Sequence, residues 1–198
     1  MKKLLAIIVL SLNILTFSFQ SLTKANDIKD FEIEGISIGD NLINFMTRKE
    51  IVNNAKQHYP KGSKFFETEY MGAKKKYHHL LFHIKRKDNN FKIYLIRAVN
   101  IVDNLSDCKK IKKVIVKELK ELFVDAALQE ASQKHYFYKN STQYISQFSF
   151  RTSVSNRDLV RVECMIADDK DKKIHGNVVS TLEVVISTHE FSKWIDAR

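Results

Sequence analysis

Tyr77–Val102 reads YHHLLFHIKRKDNNFKIYLIRAVNIV, and its two halves are rich in β-branched and aromatic residues. Lys87-Asp88-Asn89-Asn90 lies between them, and Asp and Asn tolerate turn conformations, so the stretch predicts a β-hairpin with arms Tyr77–Arg86 and Phe91–Val102. Alternation places Leu80, Phe82 and Ile84 on one face and His79, Leu81, His83 and Lys85 on the other. The pattern then changes period. From Ser106 or Asp107, either able to cap a helix, Ile111, Val114, Ile115, Leu119, Leu122 and Phe123 recur three and four apart. This predicts a long amphipathic helix, extending toward Ala126, Ala127 and Leu128.

Upstream, Phe31–Ile38 alternates apolar and polar and reads as one short strand ended by Gly39, with Asp40 as the N-cap of a helical piece carrying Leu42, Ile43, Phe45 and Met46. Thr47 and Glu50 form a capping-box pattern for a second piece that ends by Tyr59-Pro60-Lys61-Gly62. Lys64–Met71 is a further strand. Downstream, strands are expected at Tyr136–Tyr138, Tyr144–Arg151, Leu159–Ala167 and Thr181–Thr188, with a turn at Ser153–Asp158. Asp168–Asn177 reads as a polar, flexible loop, and Phe191–Ile195 as a short helix whose Trp194 docks on the core. Strands come in runs rather than alternating with helices. The fold class is therefore α+β: a single domain with a largely antiparallel sheet of about six to seven strands carrying one long and one shorter helix.

Met1-Lys2-Lys3 precedes a charge-free apolar run, Leu4–Phe19, followed by a polar stretch with Thr23 and Ala25 at the −3 and −1 positions of a cleavage site. That order predicts a signal peptide over residues 1–25 and a domain over 26–198, periplasmic or secreted. No second long apolar run occurs, so no transmembrane span is expected after processing. The 198 residues carry a formal net charge of +10 with 44% hydrophobic content, which excludes disorder as the dominant state. Five glycines and one proline exclude glycine-linker and proline-rich architectures. Export argues against nucleic acid as a partner despite the basic charge.

Cys108 and Cys164 are the two cysteines. In an oxidising compartment an even count predicts a disulfide, the alternative being two buried thiols. His79 and His83 would share a metal on a helix. On a strand they stand about 13 Å apart, so a polar strand face is expected and no metal. Asp168, Asp169 and Asp171 miss the calcium-loop pattern, and none of the common hydrolase, zinc-protease or nucleotide-loop motifs occurs, so no catalytic residue and no cofactor is assigned. Lys61–Lys87 holds eight basic residues against Glu67 and Glu69. The long helix is lysine-rich, and Lys74, Lys75, Lys76, Lys109, Lys112, Lys113 and Lys120 form a candidate anion-binding surface.

The segment FEIEGISIGDNL, the aromatic hairpin, the helix opening at Asp107-Cys108 and the closing EFSKWI resemble small exported proteins of AT-rich marine alphaproteobacteria. The Ile36-x-Ile38-Gly39-Asp40 turn is similar to periplasmic α+β modules of the outer-membrane-assembly lipoprotein and β-lactamase-inhibitor types, which implies a binding role, although the lipid-anchor cysteine of the lipoproteins is missing. The expected function is a non-enzymatic binding module for an envelope protein or an anionic lipid or polysaccharide surface. The alternative is a hydrolase whose site is assembled in space. Processing is directly testable: N-terminal sequencing of the protein from an exporting host should begin at or near Asn26, and a retained Met1 would refute the address.

Overall fold

The computed structural model describes residues 27–70, 76–151 and 157–197. After a 3-10 turn at Ile28–Asp30, the first strand pair is β1 (Glu32–Ile33) and β2 (Ile36–Ser37). The expected single strand is thus a tight hairpin. Glu34 and Gly35 at its tip have φ of 54° and 77°, the two left-handed positions that reverse the chain and that alternation alone did not reveal. Asp40 does not cap a helix; its carboxylate accepts the Ser37 N–H at 2.8 Å, and the following residues form only a 3-10 turn, Leu42–Asn44. Thr47 and Glu50 do form the capping box of α1 (Arg48–Asn53). The chain then pairs briefly as β3 (Ala55–Lys56) before β4 (Phe65–Glu69).

The hairpin appears as β5 (His79–Lys85) and β6 (Ile93–Ile101). Its turn is held by Asp88, whose carboxylate accepts the N–H groups of Asn90 and Lys92 at 2.9 and 3.1 Å. Asn104 caps α2 (Leu105–Leu122), two residues before the expected cap. The helix stops at Leu122 rather than running on. Ala127, Leu128 and the residues after them form β7 (Ala127–Lys134), followed by β8 (Thr142–Arg151) and β9 (Arg157–Ile166). Tyr136–Tyr138 is a turn, not a strand. The expected polar loop contains a helix, α3 (Asp169–His175), and the chain ends with β10 (Thr181–Ser187) and α4 (His189–Asp196).

Eight of these strands make one antiparallel sheet in the order β3-β4-β5-β6-β10-β9-β8-β7. The class is α+β, with more strands than expected and one α-helix, α3, where a loop was expected. One face carries the main core: Leu80, Phe82, Ile84, Phe148, Val160, Val162 and Val184 pack beneath α2 and the N-terminal segment. Val116 and Leu119 supply the helix side, and Phe123 meets Phe31, Phe148 and Phe150 at ring distances of 5.7, 6.1 and 4.7 Å. Cys108 of α2 is bonded to Cys164 of β9, tying the helix to the sheet. Trp194 does dock, partly buried, but on the opposite face, against a second cluster of Phe65, Leu95, Val185 and Phe191. Met165, Ala167 and Val178 form a third beside Tyr138, at the other end of that face.

The bridge spans a sequence separation of 56 residues. Closing a loop of that length restricts the unfolded chain by about 4 kcal/mol. Replacing both cysteines by alanine should therefore lower the urea-unfolding free energy by no more than that amount while leaving the far-ultraviolet circular dichroism unchanged.

Candidate functional site

Between the α4 cluster and the Tyr138 cluster, the second face of the sheet is crossed by charged side chains. Cross-strand pairing sets three rows on this face. Glu67 stands opposite His83, Arg97 and Arg161 flank Val185, and Glu183 stands opposite Glu163. Buried Glu67 is the hub. His58 Nδ1 lies 2.9 Å from its Oε1, His83 Nε2 lies 3.0 Å from its Oε2, and Arg97 donates to Oε2 at 3.2 Å. Arg97 also reaches Glu183 at 3.9 Å, and Arg161 Nε sits 2.9 Å from Glu163. Desolvation raises the Glu67 pKa, but the hydrogen bonds from the two imidazoles and the charge of Arg97 outweigh it and hold the carboxyl well below the ordinary carboxylate range. Burial pushes His83 down, so its neutral ring donates from Nε2 to Glu67 and accepts at Nδ1 from the Tyr59 hydroxyl at 2.9 Å. The Glu67 hydrogen bond pushes the more exposed His58 up. Burial, reinforced by Glu183, pushes Glu163 up against the opposing charge of Arg161.

The polar strand face expected around His79 and His83 is therefore partly wrong. His79 is partly exposed and contacts Glu69 at 2.6 Å, whereas His83 and Glu67 are interior. In the sequence, Glu67 stands merely as an acid offsetting nearby lysines. A charged residue at an inward strand position next to a histidine-bearing strand was the only available sign. Ionised Glu67 makes His58 hold its proton more firmly than a free imidazole would. Among the described residues no serine, threonine or cysteine hydrogen-bonds to His58, and no group of three or more His, Cys, Asp or Glu could hold a metal ion. A shallow depression between the N-terminal segment and α4, lined in part by Lys29, Lys92, Tyr94, Asp158 and Glu190, is open and carries charges of both signs.

A different construction lies at the sheet end where β7 passes to β8. His135 Nδ1 accepts the N–H groups of Phe137 and Tyr138 at 3.1 and 3.0 Å, and its ring stacks on Tyr138 at 4.8 Å. From α3, the Asp171 carboxylate, only 1% exposed, accepts the backbone N–H of Asn140 and of Ser141, the Asn140 side-chain amide and the Ser141 hydroxyl at 3.0, 2.7, 2.9 and 2.6 Å. The turn so fixed presents Tyr136 and Phe137 at 71% and 70% exposure. They meet edge to face at 4.9 Å, with the Lys139 ammonium 4.6 Å from the Tyr136 ring centroid. Ordering a turn this way costs conformational entropy, and the Asp171 hydrogen bonds offset it.

The proposed anion-binding lysines are distributed. Lys74 and Lys75 lie outside the described residues. Lys76 lies beside Glu34, which accepts its backbone N–H at 3.3 Å. Lys109, Lys113 and Lys120, spaced four and seven apart, share one flank of α2, while Lys112 is half-buried and burial lowers its pKa. Lys109 lies 4.5 Å from the Tyr144 ring centroid, close to the end of the sheet that carries the aromatic turn. Among the described residues no helix is long and apolar enough to cross a membrane. No protein-family model, curated protein or solved structure matches the chain.

Asp171 supplies a pH test of the turn. Burial alone would raise its pKa, but the Ser141 and Asn140 hydrogen bonds lower it to about 2. A depressed pKa means the stabilisation is full above the unfolded value, about 4, and is lost as pH falls through the folded one. Amide exchange at Asn140 and Ser141 should therefore accelerate as pH falls from about 4 to about 2, beyond the intrinsic pH trend. Asp171→Ala should show the same acceleration at neutral pH, with β10 protection unchanged.

Proposed function

We propose that the chain is an exported, non-enzymatic binding module that docks on an anionic envelope surface through the turn at residues 135–141. The observation that carries this reading is the exposure of Tyr136 and Phe137 on a turn held by a buried carboxylate and a histidine. Aromatic side chains are favoured where one environment is apolar and the next is wet, as at the boundary of a lipid bilayer. Lys139 of the turn lies against Tyr136, Lys172 and Lys173 belong to α3, the helix whose Asp171 holds the turn, and Lys109 lies over Tyr144 of β8. Asp171, the innermost acid of α3, is spent inside the fold, while Asp169 pairs with Lys172 at 3.0 Å.

Burying a Phe side chain contributes roughly 1.5–3 kcal/mol, and each lysine close to an anionic leaflet adds about 1 kcal/mol. One aromatic anchor and three or four lysines together suffice for measurable, reversible attachment. The internal disulfide and the predicted signal peptide both fit an oxidising compartment where such a surface is available.

Co-sedimentation with vesicles of phosphatidylglycerol and of phosphatidylcholine tests this. Binding should favour the anionic vesicles and weaken from low to physiological salt. Phe137→Ala should reduce it about tenfold, in keeping with the loss of much of one side chain's burial. Lys139→Glu should act chiefly on the anionic vesicles. Equal or absent binding to both compositions would exclude the lipid surface and leave a protein partner as the reading.

A further inference from the structure

β7 is the outermost strand of the sheet, pairing with β8 on one side and with nothing among the described residues on the other. Its eight residues run without a register shift from Ala127↔Ser149 to Lys134↔Thr142. Edge strands are normally blunted by brevity, proline, bulges or several charges. β3, at the opposite edge, has only two residues. β7 has none of the other devices: its sequence is ALQEASQK, with Glu130 and Lys134 as its only charges and no proline.

The ladder fixes which backbone groups face outward. His135 donates its N–H to the Ser141 carbonyl at 3.0 Å, and this pair continues the β7–β8 register by one step. Hydrogen-bonded pairs alternate along an antiparallel ladder, so Gln133, Ala131 and Gln129 also turn their backbone groups to β8. Leu128, Glu130, Ser132 and Lys134 turn theirs to the open edge.

We propose that two copies of the chain join antiparallel through β7, on a two-fold axis at Ala131, to form one continuous sheet. Of the two-fold registers that let outward-facing groups meet one another, three centre near the middle of the strand. Centring on Glu130 places two like charges directly opposite, which is destabilising. Centring on Ser132 pairs Glu130 with the partner's Lys134 but sets Leu128 opposite the partner's Tyr136, beyond the end of the strand, so that only three of the four outward-facing residues join the ladder. Centring on Ala131 pairs Leu128 with the partner's Lys134 and Glu130 with the partner's Ser132. It engages all four outward-facing residues of each copy in about eight hydrogen bonds, with Glu130 diagonal to the partner's Lys134. Small side chains at Ala131 and Ser132 leave the centre unobstructed. The antiparallel arrangement sends the two aromatic turns to opposite ends of the dimer, so this inference stands apart from the surface docking proposed above.

Sedimentation equilibrium on the protein isolated from the periplasm of an exporting host should give twice the monomer mass. Ser132→Pro removes an outward N–H and no bond of the β7–β8 ladder, so it should raise the dimer dissociation constant at least about tenfold in a folded protein. Ala131→Cys should crosslink the dimer on oxidation, because the two residues face each other at the axis. Gln129→Cys should not, because the copies of that residue are then about 13 Å apart, beyond disulfide reach. The cysteine variants decide the question should Ser132→Pro fail to fold. A monomer at about 100 μM, dimers indifferent to Ser132→Pro, or equal crosslinking through both cysteines would overturn the proposal.

Discussion

Every residue of β10 from Thr181 to Ser187 has a partner on β6 and another on β9. The architecture depends on that double pairing. Without β10 the chain has two separate antiparallel meanders, β3 to β6 and β7 to β9, each with a raw edge. With it, the apolar residues of both, Ile96 and Ala98 on one side and Val160 and Val162 on the other, become one continuous floor under α2. The helix bridges the same seam from above, and the bond between Cys108 and Cys164 locks it to the second meander at the residue opposite Leu182.

The same central strand organises the charged face. Val185 separates Arg97 from Arg161, and Glu183 lies within reach of Arg97 while facing Glu163. Removing one partner from such a set leaves an uncompensated charge in a poorly solvated place, which is far more costly than the net worth of the pair. The charged set therefore constrains the register of β4, β5, β6, β10 and β9 more than it adds to stability. A slip of one residue would send Glu67 and Glu163 into the apolar core.

The parts of the fold written in local periodicity were legible. The Asp88 turn of the hairpin needed no knowledge of partners, and the Thr47–Glu50 cap is a four-residue signal; the α2 stripe was legible only in part, since Leu119 and Phe123 are buried as expected but Ile111 and Val114 are exposed, and Val116, outside the expected stripe, is interior. β7 was not legible because Ala127, Leu128, Gln129 and Glu130 are good helix formers. Their strand state comes from pairing with β8, which is a tertiary effect. α3 was hidden for a related reason: Asp-Lys-Asp-Lys has the composition of a loop, and only the donors of Asn140 and Ser141 explain why Asp171 is interior. Of the candidate sites, the cysteine pair followed from the expected compartment and the even count. The exposed Tyr136 and Phe137 read as a weak strand because aromatic content signals a strand wherever burial is unknown. The hub at Glu67 depends on residues from four separate segments and has no linear signature.

The order of β10 after both meanders in the chain also governs how they come together. Synthesis delivers the N-terminus first, so both meanders can assemble while the strand that joins them is still to come. Until Thr181–Ser187 arrive, β6 and β9 present unpaired backbone and apolar side chains to any neighbouring chain. Contacts that close over such long sequence distances form slowly. The last stage of folding is thus the interval in which this protein most needs to be kept from its neighbours, and deletion of Thr181–Ser187 would leave that interval without an end.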